Sequence, residues 1–139
     1  MRVHLKIDSH RRGADGRMER MAQEQRAYLS AGSGEIILTY QDQAEGLEQS
    51  QVVLRLDEGR CRMERSGQAD MRLDFVPGKT HCGLYRVDGM EFELSAFTNR
   101  LDWRFEEGRL DLTLCYELSL SGGQPAKTRL ALRAWPVEA

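Results

Sequence analysis

Turn signals built on glycine punctuate almost the whole chain, and they constrain its fold more than any other feature. They stand at Asp15-Gly16, Gly32-Ser33-Gly34, Asp57-Glu58-Gly59, Ser66-Gly67, Pro77-Gly78, Asp88-Gly89, Glu107-Gly108 and Gly122-Gly123. Glycine supplies the positive φ that tight hairpins demand, and Asp before Gly is among the strongest of these cues. Between the signals the apolar residues recur with a period of two, which sets them on one side of a pleated strand. Val3, Leu5 and Ile7 make one such face, and Val52, Leu54 and Leu56 another. Further faces are Met71, Leu73 and Phe75; Met90, Phe92 and Leu94; Leu101, Trp103 and Phe105; and Leu130 and Leu132. The clearest runs from Leu110 to Leu120, with Asp111, Thr113, Cys115, Glu117 and Ser119 interleaved. A chain of this kind folds as a meander with one face of each strand buried and the other wet.

Residues 18–29 admit two readings. Met18, Met21, Ala22, Gln25 and Leu29 fall at helical spacing in a stretch rich in helix formers. The Asp15-Gly16 signal instead joins the segment to the first strand as a hairpin, and the strand reading is favoured on that ground. Short connections with no helical crossover exclude a parallel sheet and leave an antiparallel barrel or sandwich. A closed barrel removes the edges that invite aggregation. The expectation is therefore an all-β, closed antiparallel barrel of about eight to ten strands, with all 139 residues in one domain.

The net charge of −2, from 20 basic and 22 acidic residues, leaves no global field to draw nucleic acid or an anionic membrane, and neither is expected as a partner. Arg11, Arg12, Arg17 and Arg20 cluster near the first turn. They read as a solvated hairpin tip, with phosphate contact the alternative. No apolar run is long enough for a membrane helix, and Met1–His10 alternates where a secretory leader would not. The cytoplasm is the expected location. Cys61, Cys82 and Cys115 lack the paired spacing of a zinc site and read as buried reduced thiols. No metal or cofactor is expected.

The order Arg65-Ser66-Gly67, then Met71, Phe75 and Gly78, resembles the YwiB-like family of small bacterial proteins of unknown function. The likeness continues through Tyr85, Gly89, Thr98, Gly108 and Tyr116, from about Glu35 to the last strand, and is weakest near the N-terminus. It implies a calycin-type barrel, a relative in shape of lipocalins and fatty-acid-binding proteins, and no established activity.

Inside a small barrel the informative residues are polar ones on an apolar face. Counting by twos, Arg65 shares a face with Cys61 and Met63. A buried guanidinium must be answered by something. One answer is the carboxylate or phosphate of a small amphipathic or anionic ligand, with Tyr40, Tyr85, Tyr116 and Thr98 adding hydroxyl contacts. The other is structural: the stem packs over an aromatic ring while the head bonds backbone carbonyls, as in calycin-type barrels that close one end with an arginine on a tryptophan. The tyrosines have the same alternative, as core rings.

No catalytic residue is assigned. His81 and Cys82 are strand neighbours that project to opposite faces, Ser33 lacks the spacing of a nucleophile elbow, and no phosphate-cradling loop is present. Asp70, Asp74, Asp111, Glu91 and Glu93 fall on outward faces, where hydration holds carboxylates near their ordinary acidity. A ligand-binding barrel therefore leads; a solidly packed scaffold meeting unknown protein partners through outer strands and loops such as Gln41–Ser50 comes second. An enzyme with a barrel-lined pocket is third.

Overall fold

At four hairpin tips the backbone does what the turn signals require. In the computed structural model, which describes residues 1–43 and 49–138, Ser33-Gly34, Asp88-Gly89, Glu107-Gly108 and Ser121-Gly122 hold both residues at positive φ. That geometry matches the right-handed twist of the strands it joins. The strands are β1 (Arg2–Arg12), β2 (Met18–Gly32), β3 (Glu35–Gln41), β4 (Gln51–Asp57), β5 (Arg60–Ser66), β6 (Ala69–Phe75), β7 (Thr80–Val87), β8 (Met90–Glu106), β9 (Arg109–Leu120) and β10 (Ala126–Pro136). Each pairs antiparallel with its sequence neighbours and β1 closes on β10, so the ten strands form a closed up-and-down barrel of calycin type. Residues 44–48 of the Gln41–Ser50 loop, named above as a partner-facing surface, lie outside the described residues.

The segment from Met18 is a strand, as favoured. It pairs with β1 in unbroken register from Arg2↔Tyr28 to Arg12↔Met18. The hairpin overrides helix propensity because each pairing supplies backbone hydrogen bonds and cross-strand contacts that an isolated helix would lack.

The two faces Met90-Phe92-Leu94 and Leu101-Trp103-Phe105 belong to a single strand. β8 carries a bulge between Thr98 and Arg100. One extra residue switches the inward set from even numbers to odd, so both halves meet the same core.

That core fills one end of the barrel. Val3, Leu38, Leu54, Leu56, Leu110 and Leu114 are at most 1% exposed. Trp103 covers this end, its Nε1 donating to the Asp57 carbonyl at 3.2 Å. The terminal ammonium of Met1 ties β1 to β2 there, donating to the Leu29 carbonyl at 2.8 Å. Cys61 is buried as expected, and desolvation, with Asp74 and Asp57 adding to it, pushes its thiol up to about 12. Cys82, by contrast, is exposed, because it sits on the outward face of β7.

β6 and β7 pair over only three positions, Ala69↔Val87 to Met71↔Tyr85. Beyond them the ladder is replaced. Gly83 passes so close to β6 that a Cβ there would stand 2.6 Å from the Arg72 carbonyl oxygen. His81 Nδ1 then accepts the Asp74 N–H at 3.1 Å. Arg62 grips the Asp74 carboxylate in bidentate fashion, at 2.7 and 3.2 Å. This hydrogen bonding holds the Asp74 carboxyl below its ordinary value against the opposing effect of burial.

A depressed carboxylate contributes stability that is complete above its unfolded pKa and is lost as pH falls through the folded one. Asp74→Asn is therefore expected to cost about 1 kcal/mol at neutral pH, discounted for the solvent contact that both side chains of the pair keep. Urea titrations of both proteins should show that difference shrinking below about pH 4. A gap that stays constant with pH would refute the assignment.

Candidate functional site

The strands that bury leucines at the filled end carry different residues at the other. Continuing β1 by twos past Val3, Leu5 and Ile7 gives Ser9 and Arg11; continuing β3 past Ile36 and Leu38 gives Tyr40 and Asp42. β5 brings Met63 and Arg65, and β9 brings Tyr116 and Leu118. These positions surround a cavity of about 360 Å³ at the open end of the barrel. Ile7, Val52, Leu73, Phe75 and Leu130 form its apolar wall, and Arg11, Asp42, Arg65, Tyr40, Tyr116 and Thr128 its polar lining. The wall and the core below it are continuous, so the cavity is the unfilled upper part of one interior.

Arg65 faces inward as its parity requires, and a carboxylate answers it. Its Nε lies 2.8 Å from Asp42 Oδ2, the side chains being 19% and 6% exposed. Neither answer drawn from the sequence, a ligand anion or backbone carbonyls beneath a stacked ring, included this internal partner. Trp103 belongs to the opposite end. An arginine has five N–H donors, and this close ion pair, in which Nε and Oδ2 are not aligned as a hydrogen bond, leaves the two terminal nitrogens to the other groups at the cavity.

Tyr40 stands over the same pair. Burial drives its phenol far above the ordinary value, with the positive charge of Arg65 working the other way. Burial also raises Tyr116, opposed first by a hydrogen bond with Thr128 and then by the charges of Arg11 and Arg65. Both rings are neutral donors across the physiological range. The Tyr116 ring also packs on Phe75, with centroids 4.8 Å apart at 48°.

Of the five candidates, the structure brings Arg65, Tyr40 and Tyr116 together on the cavity and leaves Tyr85 and Thr98 off its lining. Tyr85 packs partly buried where β6 and β7 still pair. Thr98 is fully buried at the β8 bulge, its carbonyl accepting the Gly78 N–H at 2.8 Å. Asp42 and Thr128 were missed, and Arg11, read above as part of a solvated hairpin tip, lines the cavity with Arg20, although counting by twos from Leu38, Leu130 and Ile7 reaches Asp42, Thr128 and Arg11. Among the described residues no group of three or more His, Cys, Asp or Glu side chains is placed to hold a metal ion.

The Asp70, Asp111, Glu91 and Glu93 carboxylates face outward and are exposed. Asp74 is the exception, half-buried by its arginine.

Residues 4–132 match the family model described as "Domain of unknown function (DUF1934)". The fold is similar to that in the crystal structure of the ywiB protein from Bacillus subtilis, with a TM-score of 0.88. The two share 18% sequence identity, over 99% of this chain and 92% of that one. No curated protein sequence matches the chain.

Proposed function

Since the chain belongs to this domain family of unknown function, its chemistry has to be read from the barrel itself, and we propose that it binds a small amphipathic anion in the open end. The observation that carries the reading is a cavity of about 360 Å³ that joins an apolar wall to a polar lining containing Arg65. Ligand pockets run from about 300 to 1,000 Å³ and combine apolar walls with a few convergent polar groups. The volume supports a ligand with a short apolar tail. Arg65 and Arg11 supply positive charge, while Tyr40, Tyr116 and Thr128 supply neutral hydroxyls.

Electrostatics sets the sign of the ligand. Arg11, Arg20 and Arg65 line the cavity against Glu19 and Asp42, so an anion completes the charge balance and a cation worsens it. Asp42 neutralises the Arg65 guanidinium at the cavity and so competes with an incoming anion for it. The outward residues Lys6, Asp8 and Arg12 of β1 give this side of the barrel a charged exterior. The protein acts here as a binding module, with no side chain given a catalytic role.

The test uses 8-anilinonaphthalene-1-sulfonate, an apolar fluorophore with one negative charge. One probe should bind per barrel and be displaced by octanoate but not by octylamine. Native mass spectrometry of protein purified from its own cells should show a small molecule retained at the same stoichiometry. Failure of the probe to bind, with no retained molecule, would instead favour a solid scaffold in which Arg65 and Asp42 serve only each other. Displacement by octylamine as readily as by octanoate would remove the anion from the proposal.

A further inference from the structure

We infer that the barrel self-associates through the free edge of β2, which pairs antiparallel with β2 of a second copy about a two-fold axis at Ala22. The inference does not depend on a ligand in the cavity.

β2 has fifteen residues but uses only its last five, Tyr28–Gly32, to pair with β3. The two strands part because the Gln25 side chain occupies β3 where β2 would have continued. Gln25 Oε1 accepts the Gln41 N–H at 3.3 Å, and its Nε2 donates to the Gln41 carbonyl at 2.7 Å. From there back to Met18, among the described residues, β2 has a ladder on one side only, the side of β1.

The free edge can be assigned residue by residue. Gly13 N–H donates to the Arg17 carbonyl and Leu29 N–H to the Met1 carbonyl, both at 2.9 Å. Those bonds bracket an unbroken register, and in antiparallel pairing the bonding residues alternate. Odd-numbered residues of β2 therefore bond to β1. Even-numbered Met18, Arg20, Ala22 and Glu24 direct their N–H and C=O groups away from it, and no β3 partner meets them. A row of unpaired groups of this kind is a template for another strand.

The side chains indicate which strand fits. In the register centred on Ala22, Arg20 of one copy lies opposite Glu24 of the other, and the symmetry repeats the pair. The residue on the axis is an alanine, small enough to face its own image. Ala22 meeting its own image and Arg20 meeting Glu24 are all even-numbered positions, so the backbone pattern and the charge pattern agree in one register. Met21, 52% exposed, falls opposite Gln23 of the second copy and is covered. Arg20 and Glu24 now reach Asp8 and Lys6 of β1, at 3.2 and 3.9 Å, and pairing exchanges these exposed contacts for the one between copies.

Sedimentation velocity across the micromolar range tests the inference on the full chain. Wild type should show a monomer–dimer equilibrium. Ala22→Pro should be monomeric with an unchanged circular dichroism spectrum, because the N–H it removes points away from β1. Arg20→Glu sets carboxylates against each other twice and should weaken the dimer by roughly tenfold or more. Adding Glu24→Arg to that variant reverses both charges and should restore wild-type affinity. A wild-type monomer at every concentration, a dimer that survives Ala22→Pro, or a double variant that fails to recover would each overturn the inference. Should Ala22→Pro not fold, the charge reversal decides without it.

Discussion

Asp42→Ala is expected to lower the unfolding free energy by about 3 kcal/mol, the low end for breaking a buried pair, because Arg65 keeps some contact with water. The melting temperature should fall by about 10 °C in a chain of this size. The cost comes from leaving a guanidinium without the carboxylate now 2.8 Å from its Nε. It says little about what the pair contributes by existing, since burying both charges carries its own desolvation penalty.

A double replacement separates the two. Asp42→Leu with Arg65→Met removes both charges and keeps apolar volume, so its stability should return to within about 1 kcal/mol of wild type. Thermal denaturation of the three variants forms the cycle. A single variant as stable as wild type would mean that Asp42 does not compensate Arg65. Ligand binding should respond in the opposite direction. In Asp42→Ala the whole guanidinium is available to an anion, and octanoate should bind roughly tenfold more tightly, worth about 1.4 kcal/mol. Lower octanoate affinity in this variant would show that Asp42 positions the arginine more than it competes for it.

The second large effect is expected at Phe75. Its side chain is 1% exposed, lies beside Tyr116 and forms part of the cavity wall. Phe75→Ala removes a ring from a packed interior and should cost about 3–4 kcal/mol, measured by urea denaturation. The same change deepens the cavity toward the leucine core. Fatty carboxylates longer than octanoate should then gain affinity relative to octanoate, a shift that simple loss of stability would not produce. A cost below about 1 kcal/mol would mean that the ring is not packed as described.

The alternation carried most of the architecture. Val3-Leu5-Ile7 and the run from Leu110 to Leu118 proved to be inward faces, Leu120 at the strand end being 50% exposed, and Arg65 pointed inward from parity alone. Two places resisted a local reading. The helix formers after Met18 became strand because the hairpin at Asp15-Gly16 places them against β1 along their whole length. The two apolar faces of β8 looked like separate elements because one bulged residue changes the parity without any glycine or proline to mark it.

The site was legible in direction and not in composition. Its polar residues lie where strand faces run out toward the open end, and counting by twos finds Tyr40, Asp42, Arg65 and Arg11 as inward positions. It does not reveal that Asp42 and Arg65 touch. Tyr85 and Thr98 have the right chemistry and the right parity, yet the cavity lies elsewhere. Whether inward side chains fill a barrel depends on the sum of their volumes across all strands, which no single strand contains.

Outside the bulged β8, the sequence by itself determined where strands begin and end and which side chains point inward, because turn φ angles and the two-residue pleat are set by neighbours in the chain. Closure decided the rest. Only with β1 laid against β10 do leucines from distant strands fill one end, Asp42 come within reach of Arg65, and the early part of β2 remain without a second neighbour. Those outcomes depend on distances between residues far apart along the chain, fixed by register and side-chain volume.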